Sequence, residues 1–301
     1  MYQVALVGGS YASVTPEVYW KSVLPKSPMP KSIKDILYTP GFKSSSFHPF
    51  YLDANLAKLT NNNYNKYHYK HTDHLKNIDP SVTWFFVEQD LHDQTIEMTL
   101  LFPKLSDHKS TFLPRKTADS IPFSSNKLPE IYNMFSVKPG SLEAETMKDT
   151  VMECESKSME GEEKYCATSL ESMVDFSITK LGKRVKAIST EVNAKESTIP
   201  LQKYKITSVV KKLAADKVVV CHKRNYAYAV FYCHKTVSTQ AYTVSLTGVD
   251  GTEVKAVAVC HTDTSKWDPE HLAFQVLKVK PGTVPICHIV PEAHVVWVPY
   301  Q

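Results

Sequence analysis

The 301 residues lack any run approaching the ~18 consecutive apolar positions of a membrane span, so the chain reads as soluble, with no transmembrane segment. A dense Lys/Arg tract is missing too: 35 basic residues face 31 acidic ones for a formal net charge of +4, which excludes the electrostatic footprint of a nucleic-acid binder. There is no HExxH, no Gly-x-Ser-x-Gly and no Walker loop, and "LVGGS" is a lone Gly pair with no helix behind it. Those absences remove the common signatures of zinc proteases, serine hydrolases and phosphate-binding loops. None of the six cysteines stands in a CxxC arrangement, which speaks against a zinc ribbon. No N-x-S/T sequon occurs, so glycosylation lends no support to secretion.

What the chain does have is 43% hydrophobic residues, enough for a real core, and 12 histidines, which would add positive charge in an acidic compartment such as a cell wall. An even number of cysteines, four of them in strand-like apolar runs, suits disulfides and a secretory route. The start, "MYQVALVGGSYAS", has a short apolar run and small residues but no basic n-region; residues 1–12 read as the tail of a leader or the edge of an expressed fragment.

Along the chain, residues 13 to 50 hold six prolines and read as an extended arm with one short helix near 33 to 37. Residues 59 to 74, "LTNNNYNKYHYKHTDH", are Asn-rich and carry His68, His71 and His74; they read as a surface loop, with metal collection as the sharper alternative. Residues 13–80 thus form an arm with a variable segment, and 81–301 a folded domain. In that domain "SVTWFFVEQDL" and "EMTLLF" read as strands. One helix is expected from near Ser124 through "NKLPEIYNMF", a second over "ATSLESMVDFSITKL", with Leu170, Val174 and Ile178 about four apart and Gly182 as the cap. After Gly182 almost everything reads as strand: "RVKAIST", "YKITSVV", "KVVVCH", "AYAVFYCH", "AYTVSLTG", "EVKAVAVCH", "FQVLKVK", "PICHIV" and "VVWVP", with "GVDGT" as a hairpin turn. The expected class is α+β, mainly an antiparallel sheet or barrel with two helices. The charged stretch "MKDTVMECESKSME" reads as solvated.

The dipeptide Cys-His occurs four times: Cys221-His222, Cys233-His234, Cys260-His261 and Cys287-His288. With 12 His in 301 residues, four such pairs among six Cys have a chance on the order of 4 in 100,000. On a strand, neighbours point to opposite faces, so each pair sends sulfur to one side of the sheet and imidazole to the other. Four sulfurs on one face can form two cross-links, each stabilising by roughly 2 to 4 kcal/mol, while four rings converge on the other. Cys221 and Cys233 lie within reach across a turn, although four cysteines allow three connectivities; Cys154 and Cys166, bracketing a charged loop, are expected to close a small ring. Four imidazoles without paired thiolates suit Cu(II), with zinc as competitor. A Cys-His nucleophile pair is disfavoured, because the two side chains diverge. The structural alternative is that the rings are simply satisfied by hydrogen bonds.

The spacing of the four dipeptides, ten, twenty-five and twenty-five residues apart, resembles the BURP-domain family of plants. "PEVYWKSVLPKSPMPKSIKDIL", "FFVEQDLH", "GEEKYCATSLESMVDF", "VSLTGVDGT", "CHTDT", "KPGTVPICH" and "VVWVP" are similar to further blocks of that family, over residues 16 to 299. The resemblance implies a secreted protein of the apoplast or vacuole. Some members resemble copper-dependent peptide cyclases that use dioxygen to join a Tyr or Trp of a core peptide to an unactivated carbon. By match to the repeat it carries over His222, His234, His261 and His288 as catalytic copper ligands for one or two ions, with His92 of "DLH" as a weaker addition. No Gln-Pro dipeptide marks a core here, and the texture looks like the dehydration-response branch; the core peptide would act in trans or lie within residues 59 to 69. The rival is a noncatalytic cell-wall, seed-storage or stress protein that binds cell-wall polysaccharide or protein through a disulfide-braced frame.

Overall fold

The computed structural model describes residues 15–37, 82–102, 110–194 and 200–300. The leader-like start and the Asn-rich segment 59–74, with His68, His71 and His74, lie outside them.

The period-two runs pair into two wholly antiparallel sheets. The smaller is built from β3 (Glu162–Ala167), β4 (Val185–Ile188), β8 (Val219–Arg224), β9 (Val230–Thr236) and β13 (Val295–Pro299), in the order β3-β9-β8-β13-β4. The larger holds β1 (Phe86–Val87), β2 (Glu97–Leu100), β6 (Gln202–Ile206), β10 (Thr239–Gly248), β11 (Glu253–His261) and β12 (Ile286–Val290), in the order β1-β12-β11-β10-β6-β2. Two short strands join it: β5 (Glu191–Asn193) on β11 and β7 (Lys211–Ala215) on β10. The turn at 248 to 252 closes the β10–β11 hairpin, with Gly251 at φ +82°, a conformation L side chains rarely adopt. Phe86 and Leu100, on opposite edges of the larger sheet, belong to one buried cluster, so this sheet curls toward a half-barrel. The fold is α+β, as expected.

Seven α-helices occur among the described residues, not two: α1 (Pro16–Val23), α2 (Lys31–Lys34), α3 (Arg115–Ser120), α4 (Leu128–Met134), α5 (Leu142–Glu155), α6 (Leu170–Leu181) and α7 (Leu272–Leu277). The two expected helices are α4 and α6, the latter ending at Gly182. The stretch read as solvated is α5, capped where Ser141 Oγ accepts from the Ala144 amide; its narrow stripe of Ala144, Met147 and Val151 is buried. "FQVLKVK", read as a strand, is mostly α7: Leu272, Ala273 and Phe274 are buried in succession, which a one-sided strand does not do. "SVTWFFVEQDL" supplies only β1 before a 3-10 turn takes over at Glu88–His92.

Where the Cys-His dipeptides lie, each sheet is buried on both faces. Outside the smaller sheet, Val219, Phe231 and Trp297 pack against α6 and against Trp20, Leu24, Ile33 and Ile36. The described part of the segment read as an extended arm, residues 15–37, is therefore part of the core, and it carries two helices where one was expected. Inside the curl of the larger sheet lie Tyr204, Leu246, Ala256 and Ala258. Between the sheets runs a layer of small aliphatic side chains: Val220, Val296 and Val298 of the smaller sheet meet Ala241, Val257, Val259 and Val290 of the larger.

Trp20 is 2% exposed, donates to the Ser27 carbonyl at 2.8 Å and packs on Trp297 with ring centroids 5.4 Å apart. Trp20→Ala is expected to destabilise the protein by about 3 to 5 kcal/mol, read by urea unfolding, as for a core aromatic. A loss below about 1 kcal/mol would show that the arm rests on the domain without stabilising it.

Candidate functional site

All six cysteines are paired, as Cys154–Cys166, Cys221–Cys233 and Cys260–Cys287. Cys221 stands directly opposite Cys233 on β8 and β9, and Cys260 opposite Cys287 on β11 and β12, so each bridge crosses one ladder. The two ladder sulfur pairs sit in different cores: Cys221 and Cys233 in the outer core of the smaller sheet, Cys260 and Cys287 inside the curl of the larger. The sequence argument expected one sheet with one sulfur face. Two sheets divide the dipeptides instead, and the two histidine faces look at each other.

The histidines lie on the same faces as the inter-sheet valines: His222 follows Val220 by two residues, His234 stands opposite Val220, His261 follows Val259 by two, and His288 stands opposite Val259. The result is a chain of rings. His222 and His234 have centroids 5.2 Å apart, His222 and His288 6.4 Å, and His288 and His261 stack at 5.8 Å. His222 and His234 bring their Nε2 atoms to 3.2 Å. All four are buried.

His92 does not join them. It lies exposed at the end of the 3-10 turn against Tyr242, whose ring belongs to the curled face with Cys260 and Cys287. Turn geometry places it on the wrong side of the sheet.

Other residues extend the ring layer, and sequence reasoning missed them. His294, in the turn before β13, brings its Nδ1 to 3.0 Å from His222 Nδ1. Glu162 on β3, inside the loop read as merely charged, lies 3.0 Å from His234 Nδ1 and accepts a hydrogen bond from the Tyr232 hydroxyl at 2.9 Å. Beyond Tyr232, Arg224 pairs with Glu153 of α5 at 2.5 Å, both buried. At the other end Trp267 lies 5.1 Å from His261 and 4.6 Å from His271, whose Nδ1 caps α7. Only Glu162 left a trace in sequence: it stands at period two with Lys164 and Cys166, directly across from β9.

Burial governs the electrostatics. It pushes His288 and His271 down to about 4, and holds His261 and His294 well below the ordinary imidazole range, with neighbouring rings adding to the effect on His261. Burial pushes the Glu162 carboxyl up, but the His234 contact and the Met159 and Tyr232 hydrogen bonds outweigh it and leave it below the usual range. His261, His271, His288 and His294 are therefore neutral rings at neutral pH, in which a ring nitrogen is free to act as a ligand or acceptor, and one carboxylate is oriented on His234.

Two nitrogens on a tetrahedral ion with bonds of about 2.0 to 2.1 Å stand about 3.3 Å apart, so the 3.2 Å separation of His222 and His234 fits one edge of a metal site. Among the described residues no set of three His, Cys, Asp or Glu side chains closes into a metal cage. The donor chemistry fits a divalent ion, and a ready-made cage is not formed.

Two antiparallel sheets, each braced by one ladder disulfide, with buried imidazoles between them, define a disulfide-stabilised domain built on a Cys-His repeat. The profile of the BURP domain matches residues 84–299. The chain belongs to the BURP domain family. It is 57% identical to the BURP domain protein RD22 of Arabidopsis thaliana over 226 residues, which is 74% of this chain and 57% of that protein. It is 44% identical over 300 residues to BURP domain-containing protein 5 of Oryza sativa subsp. japonica, covering 96% of this chain and 89% of the relative. It is 33% identical over 334 residues to Protein RAFTIN 1B of Triticum aestivum, covering 96% and 91%. The chain spans little more than half the length of RD22 and of the rice BURP domain-containing protein 3, at 57% and 54%.

The depressed histidines set an acid limit. Below pH 6.5 the unfolded chain takes up protons that His271 and His288 refuse until about pH 4, so stability falls as pH drops from 6.5 to 4, where the share of these two rings is complete. Each ring contributes on the order of 3 kcal/mol across that window. Urea unfolding of metal-stripped protein at stepped pH measures the slope, and His271→Gln is expected to reduce it by about one proton. A slope unchanged by that substitution would show that His271 is already protonated when folded.

Proposed function

We propose that the protein is a copper-dependent oxidative peptide macrocyclase of the secretory pathway. It would form side-chain crosslinks at Tyr or Trp of a core peptide, supplied in cis or in trans, with dioxygen as co-substrate. The observation that carries this reading is the convergence of all four Cys-His rings, contributed by both sheets, into one buried layer. The three disulfides accord with an oxidising compartment, and no helix among the described residues is long and apolar enough to cross a membrane.

His222 and His234 would hold one ion, with His288 and His261 as the donors of the adjoining half of the layer. Bound copper would supply one-electron and dioxygen chemistry. The chain's own residues supply the setting. Glu162 orients His234 by taking up its Nδ1 side, leaving Nε2 toward His222. Tyr232 fixes Glu162 by donating to it, and the disulfides pin the backbone one residue away from each ring. Burial keeps the His261 and His288 rings neutral and excludes bulk water, which preserves their affinity for a cation near neutral pH.

A second reading has its own support: the rings are already joined by hydrogen bonds and stacking, and no three-donor cage exists among the described residues. On that reading the layer only braces a noncatalytic wall or storage protein. Copper-loaded protein incubated under oxygen with Tyr- and Trp-containing peptides is expected to lower peptide mass by about 2 Da per crosslink, since each coupling removes two hydrogens. His261→Ala should abolish the mass change, and His222→Ala with His234→Ala should lower bound copper measured by elemental analysis. Unchanged peptide masses, with copper content indifferent to these substitutions, would leave the bracing role.

A further inference from the structure

A groove of about 700 Å³ opens between α2 and the larger sheet, at the end of β11 remote from the histidines. Lys255, in its wall, and His261 are six residues apart on one strand, about 20 Å. The groove is therefore a separate site, and nothing about it rests on copper. Its size lies in the range of ligand-binding clefts.

The chemistry of the groove follows from strand alternation. Ser245 and Thr247 flank Leu246 on β10, Glu253 and Lys255 flank Val254 on β11, and Glu191 and Asn193 flank Val192 on β5. Leu246 and Val254 are buried in the core inside the curl, and Val192 packs against it. The apolar residues thus turn away, and the floor presents hydroxyls, an amide and charges. Thr207 joins the hydroxyl row, receiving a hydrogen bond from Thr247 Oγ1 at 3.3 Å. In the wall, Ser32 is 3% exposed and its hydroxyl has no hydrogen-bond partner among the described residues. A buried hydroxyl left unpaired costs free energy until something supplies a partner.

Three occupants are disfavoured. Lys31 and Lys255 stand against Glu191, Glu253 and Glu292, so the lining is close to neutral and offers a polyanion no positive field. A greasy ligand would find Leu246, Val254 and Val192 turned toward the core and would have to cover hydroxyls, an amide and charges. An added peptide strand would need a free backbone edge, but here β10 and β11 are paired on both sides, and on the edge strand β5 the Val192 amide already donates to Glu292 Oε1 at 3.3 Å. A neutral chain bearing many hydroxyls matches donors and acceptors of both kinds on floor and wall.

We propose that this groove binds a neutral oligosaccharide. The test is calorimetric titration of the intact, metal-free protein with neutral hexamers of glucose, mannose and xylose, and with an oligogalacturonate as charged comparator. At least one neutral hexamer should bind. Thr207→Val with Thr247→Val, which keeps the β-branched shape, should weaken it about five- to tenfold, as expected for loss of two hydrogen bonds. His261→Ala should leave this binding unchanged, which separates the groove from the histidine layer. Should the double variant fail to fold, Ser245→Ala at a half-buried position carries the same comparison. The proposal is overturned if no neutral hexamer binds, if the variants bind as well as the parent, or if the oligogalacturonate binds more tightly.

Discussion

Side chains leave a β-strand on alternate faces, and in this protein both faces of the strands that carry the Cys-His dipeptides are buried. That double burial is the constraint on which the rest of the structure depends. A cysteine must point into one dry core and the adjacent histidine into another, so a register slip of one residue would place an imidazole among Trp297 and Phe231 and a sulfur among the rings. The ladder disulfides remove that freedom, because Cys221 can meet Cys233, and Cys260 can meet Cys287, in one register only. The cross-links and the ring layer are two expressions of one alignment.

Burying so many polar rings is costly, and the surrounding residues show how it is met. The inter-sheet layer begins as valines, where nothing polar needs a partner, and changes to imidazoles where β3, the end of α5 and the loop before α7 supply partners. Cys154–Cys166 ties the last turn of α5 to β3, holding Glu153 near Arg224 and Glu162 near His234. A buried ion pair such as Arg224–Glu153 is weak evidence for stability, since desolvation offsets most of its attraction. Its consequence here is positional: the Arg224 guanidinium lies 5.1 Å over the Tyr232 ring, and the Tyr232 hydroxyl donates to the carboxylate that orients His234.

The parts of the fold that were legible were those with strong local periodicity. The strands from Val185 to Pro299 are short runs of β-forming residues, alternating in β4 and β6 and apolar nearly throughout in β13, and α6 combines a four-residue apolar spacing with a Gly cap. The misread elements had weak or ambiguous periods. Helix α5 buries only a thin stripe beneath a charged surface, and α7 is six residues whose apolar run suits a strand as well. The arm was illegible for a different reason: Trp20 and Ile33 are buried by a helix and strands more than a hundred residues away. Of the candidate site, the four rings were visible because each is marked by its cysteine. Glu162, His294, His271 and Trp267 carry no such mark.

By itself the sequence determined the alternation: which residue of each Cys-His pair faces sulfur and which faces ring, since that depends only on neighbouring positions along one strand. It also made imidazole nitrogen, rather than thiolate, the donor type the repeat offers, because an even set of six cysteines without a CxxC suits disulfides. Only the tertiary structure decided that the dipeptides divide between two sheets, that the histidine faces meet, and that His92 falls on the other side. Those outcomes depend on how sheets curl and stack, which is settled by packing among residues far apart in the chain and leaves no local period to read.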